Sequence, residues 1–599
     1  MKRTHRTMTS CEWRSDSGQV AVLVLMVLGI FLLSVSAFGV DFANFWFHRQ
    51  AAQTAADAAC TAGVMDMLVN ANTGSTLGGF TAGTNFDCAT TPGAAPCAYA
   101  ALNGFNGNGS TPGSTVQVSF VATSTIPGVD PASIPGLAPN TIQVDITERV
   151  QTFFSGLLTG SRTQAVRVRS RCAVLRAAAP VPLTVLNPIC PSSLNLTGSS
   201  DIAIVGGPNK SIQVNSNSSA AVSGGGTIDL SQGGPAFTGS LIGVYGGPQT
   251  PPGTFLPGTT GAWSFRATPI ADPFSNVPAP RDPTDPSEPM PLPLNPATQN
   301  VLYNNATYGC PDQSGCTVYK PGKYTSPIVV KNKTVLFVPG LYYFAIPAGN
   351  FDKDNCGTPG GCIARPTGQC NYAVTVDSNG VVRMASNSAP ESDGSGGVTF
   401  FLSGPGGTNG FGSVFFGSNA GNSGGRTVDA FSTSGVACAG GPLPNPGLSL
   451  PSTVQGNVLL GPCTYDGSYT RSSTNVSPGA GATQSVRGII LFQDRNNGNN
   501  DGQPSMQGGG GLLMSGNLYF HHCPSKNPVM GGAAPSPTAQ CNPTTEYHSF
   551  FQLQGTPGSG TFLLGNITTD ELSLGGNGNV SMQLDTRSVY TILRAALIQ

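Results

Sequence analysis

The chain has 599 residues, of which 10% are charged, and its formal net charge at pH 7 is −1. Gly (80) and Pro (49) together exceed a fifth of the chain, while hydrophobic residues make up 39%. The balanced charge excludes a basic field that would attract nucleic acid. The apolar content is too high for a disordered chain, so a folded protein with room for several domains is expected.

The first element is a membrane anchor. A basic N-terminus, residues 1–19, precedes an uncharged apolar segment, residues 20–40. A helix of this length spans about 30 Å, the thickness of the bilayer's hydrocarbon core. The predicted anchor residues are Val20, Leu25, Leu32 and Val40. Because Lys2, Arg3, Arg6 and Arg14 precede the segment, the positive-inside rule predicts a single pass with a cytoplasmic N-terminus. The alternative is a signal peptide cleaved after Ala37.

Cysteine usage agrees with export. Of the 15 cysteines, Cys11 lies on the predicted cytoplasmic side, which leaves 14 for the oxidising exterior where disulfides form. Three close pairs predict local disulfides, although Cys370 competes for a partner and leaves the connectivity open. These pairs are Cys88/Cys97, Cys310/Cys316 and Cys356/Cys362.

An Ala-rich extracytoplasmic helix is predicted over residues 41–73. Small residues recur at helical spacing in two stripes, Ala51/Ala55/Ala59 and Ala52/Ala56/Cys60. Such stripes allow helices to bundle closely, but alanine also simply favours helix. Both interpretations stay open. Phe45, Trp46 and Phe47 are placed where an interfacial aromatic belt would hold the helix.

These N-terminal residues resemble a known family. The chain resembles TadE/TadG-like Flp (Tad) pilus-assembly proteins over about residues 15–178. The resemblance rests on "GQVA" before the single apolar span, on Asp41 in "GVDFANFW" and on "TAADAACTAG". Cys60 departs from the usual alanine. Gly18 is followed by Leu23 where pseudopilins of this system carry Glu, so prepilin-peptidase cleavage is not expected. The motif residues are Asp41, Ala55, Ala56, Asp57, Ala58, Ala59 and Gly63.

The resemblance implies a structural role. The expected protein is a membrane-anchored, non-enzymatic component of a Tad/Flp-type pilus assembly or secretion apparatus. It would lie in the bacterial inner (cytoplasmic) membrane, with a periplasmic or extracellular body. The implied partners are the membrane and other Tad/Flp pilus-assembly proteins, and the Ser/Thr/Asn-rich surface also suits contact with surface glycans. There are two alternatives: an autonomous cell-surface adhesin, and a β-helix enzyme acting on polysaccharides.

Residues 74–178 predict a small α/β domain. Val116–Thr123 and Thr141–Thr147 alternate as half-buried strands do, and Gln164–Arg169 predicts a closing strand. Val150–Leu158 between them predicts a short helix.

The remaining chain is mainly β. Glycine-punctuated apolar runs predict a β-rich segment over residues 179–268 and a Gly-rich β-solenoid region over residues 297–599. Between them, residues 269–296 hold ten prolines and predict a linker or surface strap. "PGKY" at Pro321–Tyr324 recurs as "PGLY" at Pro339–Tyr342, which favours stacked rungs of a right-handed parallel β-helix. The alternative is β-sandwich or jelly-roll domains.

No catalytic or metal-binding set is predicted. His521 and His522 are adjacent and would point to opposite strand faces, whereas Glu546 and His548 could share one. Cys523 is expected in a disulfide. "DRNNGNNDG" has the first half of a calcium loop in Asn497, Asn499, Asp501 and Gly502, but Gly508 replaces its glutamate. We therefore expect no cofactor, and no short segment gathers the paired carboxylates of a glycosidase.

Overall fold

The structure, a computed structural model, describes residues 17–598 apart from several internal segments. Those segments are residues 74–76, 109–112, 122–138, 157–159, 179–180, 276, 278, 287–290, 348, 351, 353–360, 363–370, 405–411, 434–451, 463–468, 472–475, 479–487, 497–502, 509–510, 528–538, 556–560, 577–578 and 585–590. The described chain is mainly β with one long apolar helix at its N-terminal end, which confirms the coarse fold class predicted from the sequence.

The first element is the helix α1 (Ser17–Thr73), which covers the predicted anchor and the Ala-rich segment without a break. In the described residues it is the one helix long and apolar enough to span a membrane. Its N-terminal half exposes large apolar side chains, whereas its C-terminal half is buried on one side from Ala52 to Leu68. One helix therefore has an exposed apolar half and a half that packs against the rest of the protein.

The C-terminal half of α1 packs on a small antiparallel sheet. Its elements are β1 (Phe86–Asp87), α2 (Ala95–Leu102), β2 (Ser114–Ser119), β3 (Thr141–Gln151) and β4 (Thr163–Ala178). The predicted strands are present, and β4 extends further than expected. The predicted helix over Val150–Leu158 is wrong at its start, because Val150 and Gln151 pair with Gln164 and Thr163 as the end of the β3–β4 hairpin.

A second set of strands follows the small sheet. It consists of β5 (Leu183–Val185), β6 (Leu194–Leu196), β7 (Asp201–Gly206), β8 (Lys210–Val214), β9 (Val222–Gly224), β10 (Thr227–Asp229), β11 (Leu241–Val244), β12 (Thr254–Leu256) and β13 (Ala262–Phe265). Strands three apart pair in parallel, for example β5 with β8 and β6 with β9.

The strands after the Pro-rich segment continue the same pattern. They are β14 (Gln299–Val301), β15 (Cys316–Tyr319), β16 (Gly322–Tyr324), β17 (Ile328–Lys331), β18 (Thr334–Phe337), β19 (Gly340–Ala345), β20 (Tyr372–Asp377), β21 (Val381–Met384), β22 (Val398–Ser403), β23 (Ser413–Phe416), β24 (Phe431–Ser432), β25 (Thr453–Val454), β26 (Asn457–Leu460), β27 (Tyr469–Arg471), β28 (Val476–Pro478), β29 (Ile489–Gln493), β30 (Ser505–Gly508), β31 (Leu512–Ser515), β32 (Asn517–Phe520), β33 (Phe550–Gly555), β34 (Thr561–Leu564), β35 (Ile567–Thr569), β36 (Glu571–Gly576), β37 (Asn579–Leu584) and β38 (Thr591–Leu597). A single-turn 3-10 helix spans Pro524–Lys526.

Three large sheets of parallel strands organise this body. The ten-stranded sheet has the order β13-β11-β8-β5-β35-β32-β29-β22-β19-β16, and sheets of eight and seven strands run beside it. The order is not sequential, because β35, β36 and β37 stack on β5, β6 and β7. The strands from both sides of the Pro-rich segment thus share the same sheets and one apolar core.

The last strand, β38, returns to the small N-terminal sheet. This strand pairs antiparallel with β4, with Thr591 opposite Ala178 and Leu597 opposite Cys172. It forms the fifth strand of the small N-terminal sheet. The small sheet is therefore completed by residues more than 400 positions away in sequence.

The body's interior contains a stack of aromatic rings contributed by successive strands. The ring centroid of Tyr324 lies 5.8 Å from that of Tyr342 and 5.6 Å from that of Phe344. The centroids of Phe400 and Tyr342 are 5.2 Å apart. "PGKY" and "PGLY" lie in neighbouring strands as predicted, although Gly322 pairs with Tyr342 rather than with Gly340. Each aromatic pair adds about 0.5–1.5 kcal/mol beyond the burial of its area.

The Pro-rich segment, residues 269–296, crosses the outer face of the ten-stranded sheet, and we call it the strap. It follows β13, the edge strand, in the chain, and Asn215, directly after β8, donates to the Ile270 carbonyl at 2.8 Å. Phe274 then packs edge-on against Tyr519 of β32, with 5.4 Å between ring centroids. Near the other edge Asp282 forms an ion pair with Lys323 of β16. Proline lacks a ladder donor, so side chains supply much of the strap's attachment. Backbone bonds join it to β16 where Lys323 pairs with Pro293 and Asn295.

A buried arginine is the main polar contact of the strap. Arg495 is 1% exposed. Its guanidinium donates to the Val277 carbonyl at 2.9 Å and to the Phe274 carbonyl, and it stacks 5.0 Å from the Tyr519 ring centre. Asp272 lies 3.5 Å from the same guanidinium. The charge is thus compensated by two strap carbonyls and one carboxylate, as a buried cation requires.

Five disulfides occur in the described residues. The local pairs Cys88–Cys97 and Cys310–Cys316 confirm the prediction, and Cys523 is bonded to Cys541. The predicted Cys356–Cys362 pair is wrong, because Cys362 is bonded to Cys190 across 172 positions. Short spacing fails as a guide here because sheet stacking brings distant loops together. The fifth bond joins Cys60 of α1 to Cys172 of β4.

Candidate functional site

The predicted anchor residues lie on an exposed apolar surface of α1. Val20 is 63% exposed, Leu25 67%, Leu32 55% and Val40 52%. Exposed apolar surface of this length is costly in water and suits a lipid environment. The anchor half of α1 therefore suits a membrane or a partner of equal apolarity.

Asp41 marks the point where α1 leaves this apolar stretch. Its carboxylate is 2% exposed and accepts hydrogen bonds from three successive backbone amides of the β3–β4 hairpin. The distances are 2.9 Å to both Phe153 and Phe154, and the third donor is Ser155. Three charge-assisted bonds to consecutive amides resemble the capping of a helix N-terminus. Asp41 thereby fixes the hairpin against the helix, a partner that sequence spacing did not identify.

The alanine motif forms the interface between α1 and the sheet. Ala55, Ala56 and Ala59 are fully buried in one cluster with strands β2, β3 and β4, and Ala58 is half-buried. Asp57 accepts a 2.9 Å hydrogen bond from Gln53 on the same helix. Small side chains allow the helix to lie close to the strands. In this structure the buried stripe contacts the chain's own sheet.

Gly63 completes this interface at its closest point. A Cβ atom built on Gly63 would lie 2.6 Å from Ile142 Cδ1 and 2.8 Å from Pro96 Cγ. No larger residue fits without movement of β3 or α2. The disulfide between Cys60 and Cys172 lies one turn earlier in α1 and fixes the same contact covalently.

Polar contacts continue the junction toward the hairpin tip. His48 Nδ1 lies 3.1 Å from the Glu148 carboxylate, and Asn44 Nδ2 donates to the Gln151 carbonyl at 3.3 Å. A cavity of about 470 Å³ opens beside these residues and is lined by Arg149 and Phe153 among others. The junction therefore combines a covalent bond, buried small residues and a clamped hairpin.

The histidines of the C-terminal body lie in buried structural contacts. His521 Nδ1 lies 2.5 Å from Asp570, and its Nε2 faces Cys541 Sγ at 3.9 Å. His522 and His548 stack with ring centroids 4.9 Å apart. Glu546 accepts from the Ser525 hydroxyl and the Asn542 amide, so Glu546 and His548 do not converge on one point as ligands.

One group of these side chains has the spacing of metal ligands. Atoms of His521, Cys523 and Cys541 lie within 4.8 Å of one another. The two sulfurs are joined in a disulfide, however, and metal binding requires thiolates. The predicted calcium-loop positions Asn497, Asn499, Asp501 and Gly502 lie outside the described residues.

Two buried carboxylates of the described body, Asp312 and Asp494, have separate partners. Asp312 pairs with Arg426 at 2.8 Å, and Asp494 accepts from Ser403 at 2.7 Å. Burial raises the pKa of Asp494, against the hydrogen bonds from Ser403 and its neighbours that lower it. A cavity of about 310 Å³ beside His521 contains one carboxylate, that of Asp272. A glycosidase needs two that face each other.

The fold and the junction define a class: a protein with a long apolar N-terminal helix that suits a membrane, a helix-on-sheet domain and a large β body. Comparison with known proteins agrees with this class at the N-terminus. Residues 18–66 match the family of putative Flp pilus-assembly TadE/G-like proteins. The matched residues contain the whole predicted anchor and motif, from Val20 to Gly63. The continuation of the resemblance to residue 178 stays a prediction.

No curated protein and no solved structure matches the chain. The family match and the apolar helix together indicate a membrane-associated component of pilus assembly.

Proposed function

We propose that the chain is a single-pass inner-membrane component of a Tad/Flp-type pilus assembly or secretion apparatus. Its N-terminus is cytoplasmic, and its β body is a periplasmic or extracellular scaffold or surface-contact module. The observation that carries this proposal is the coincidence of the family match, residues 18–66, with the helix that is lipid-compatible in its first half. The basic residues before Val20 support the orientation.

The disulfides support export of the body. Five bonds occur in the described residues, and two of them, Cys60–Cys172 and Cys190–Cys362, close loops of more than 100 residues. Disulfides persist in the periplasm and outside the cell but are rare in the cytosol. The Cys60–Cys172 bond, which starts in α1, supports the proposal that the oxidising compartment begins close to the anchor's end.

We further propose that the body is a β-solenoid of the parallel β-helix type. Three large sheets of parallel strands, with consecutive strands assigned to different sheets, support this proposal. The sandwich and jelly-roll alternatives are built from antiparallel sheets. A solenoid of this kind is a stiff spacer with long polar faces, which suits a scaffold or contact with surface glycans.

The exposed side of α1 is the candidate docking face for other pilus-assembly proteins. Ala51, Thr54 and Thr61 are exposed on the side opposite the buried alanines. Substitution of Thr54 or Thr61 by arginine places a large charge on this face and leaves the buried stripe intact.

The test is complementation of a gene deletion, scored by pilus formation. We expect loss of pili on deletion, restoration by the wild-type gene, and failure of T54R or T61R despite normal protein levels. The matched control is an arginine at Leu302, which is 81% exposed on the body. Normal pili in the deletion strain would reject the assembly role, and normal pili with lost surface attachment would favour the adhesin.

A further inference from the structure

The tip of the β3–β4 hairpin is unusually apolar for a turn between two amphipathic strands. Its described part, residues 153–156, reads "FFSG", and the sequence has no charge between Arg149 and Arg162. Phe153 is 60% exposed and Phe154 46%. Two adjacent exposed phenylalanines are a liability in water, and here they do not pack into the core that the same strands form with α1.

The tip lies beside the anchor half of α1. A groove of about 520 Å³ is bounded by Phe154 and Ser155 on one side. The helix residues on its other side are Ile30, Leu33, Ser34, Ser36, Ala37, Phe38 and Val40. All of these belong to the span that the proposed function assigns to lipid. The groove is almost wholly apolar and contains no charged side chain.

The hairpin is held in this position. The Asp41 carboxylate accepts hydrogen bonds from the amides of Phe153, Phe154 and Ser155, so the tip is fixed to α1 at the first charged residue after the apolar span. The exposed Arg149 and Arg162 flank the tip on the two strands. Basic side chains at this level suit phosphate head groups, and the apolar tip suits the acyl region beneath them.

We propose that the β3–β4 hairpin tip is a second membrane contact, inserted in the outer leaflet beside α1, with lipid acyl chains filling the groove. This inference rests on the proposed function, because it requires the anchor to lie in a bilayer. The continuity of the groove with the lipid-exposed surface of α1 carries the choice of lipid as occupant. Two membrane contacts, the helix α1 and the hairpin tip that Asp41 holds beside it, would fix the tilt and rotation of the exported domain relative to the membrane. A single helix leaves both free.

The experiment measures tryptophan quenching by brominated lipids in the full chain reconstituted in vesicles. Trp13, Trp46 and Trp263 are replaced by phenylalanine, and one tryptophan is then introduced per variant. F154W reports on the tip and F31W on the anchor. L302W on the body is the matched control for an exposed apolar position.

For F154W we expect blue-shifted emission and a loss of roughly half the intensity with bromines high on the acyl chain, as for an interfacial aromatic residue. F31W should be quenched by deeper bromines and L302W by none. A second variant, D41A in the F154W background, removes the carboxylate that holds the hairpin amides and should at least halve the quenching at the tip. The same change should leave F31W quenching unaltered.

The outcomes separate the two proposals. Quenching of F31W without quenching of F154W would overturn the second contact and leave the anchor intact. Absence of quenching at both sites would refute membrane anchoring itself. Blue-shifted F154W emission without quenching would mean that protein, either another chain or a second copy, fills the groove, and this too would overturn the lipid assignment.

Discussion

Truncation of the strap's aromatic anchor, Phe274→Ala, tests whether the strap stabilises the parallel body. Phe274 is fully buried between Tyr519, Phe492 and neighbouring residues of the ten-stranded sheet. A buried phenylalanine removes about 150–200 Å² from water, which at about 25 cal/mol per Å² corresponds to about 4–5 kcal/mol. Alanine retains part of this area, but the truncation leaves a cavity, so we expect a loss of about 3–5 kcal/mol.

The loss should appear first in the strap itself. The backbone bonds between the strap and β16 lie around Lys323, which pairs with Pro293 and Asn295 near the strap's far end, away from Phe274. Without the Phe274 ring, Arg495 would also lose part of its enclosure. Hydrogen exchange and limited proteolysis of the full chain in detergent should show faster exchange and cleavage within residues 269–296. A denaturant titration then gives the change in free energy of unfolding.

The matched control is Leu294→Ala in the same strap. Leu294 is 57% exposed, so its truncation should change the free energy of unfolding by no more than about 0.5 kcal/mol. Equal effects of the two substitutions, or unchanged exchange in the strap of Phe274→Ala, would refute the reasoning that this segment is clamped through one buried ring.

Three further predictions concern other parts of the chain. Replacement of both Cys60 and Cys172 by serine should lower the free energy of unfolding by about 2–5 kcal/mol, measured by denaturation without reductant, because the bond closes a long loop. Gly63→Val should destabilise the helix-on-sheet domain by about 1–3 kcal/mol through overpacking, while Thr61→Val on the exposed face should be near neutral in the same thermal melt. Asp282→Asn should destabilise the protein at pH 7 and progressively less as the pH falls below 3.8; an equal deficit at low pH would contradict this.

The sign of the Asp282 prediction follows from its environment. Burial opposes ionisation of this carboxylate, but the hydrogen bonds from Lys323 and Thr284 outweigh it and hold the pKa below its ordinary value of 3.8. A carboxylate whose pKa is lower in the folded state stabilises the protein while it is ionised. That stabilisation is present at neutral pH and is lost as the pH falls through the folded-state pKa.

The helix could be predicted from the sequence because its signals are local. An uncharged apolar span followed by alanines specifies α1 without reference to the rest of the chain. The partners of its residues could not be predicted in the same way. Asp41 contacts amides 112–114 positions away, and the spacing of the motif does not encode that distance.

The order of the parallel strands could not be predicted from the sequence for a different reason. In the ten-stranded sheet the strands after the strap begin at residues 322, 340, 398, 489, 517 and 567, so insertions of different lengths remove any constant period. Only the first interval, between "PGKY" and "PGLY", gave a repeat. The stacking of β35 on β5 and the Cys190–Cys362 bond depend on where the chain returns, which no local pattern specifies.

The return of β38 to β4 has a consequence for biogenesis. If the chain leaves the cytoplasm anchor first, as the proposed function requires, β4 and the strands β5, β6 and β7 emerge with open edges, since their neighbours follow several hundred residues later. Unpaired edges are templates for aggregation. Export of this kind would create an interval in which a chaperone that shields strand edges is needed. A chain that stops just before residue 591 would keep the edge of β4 open.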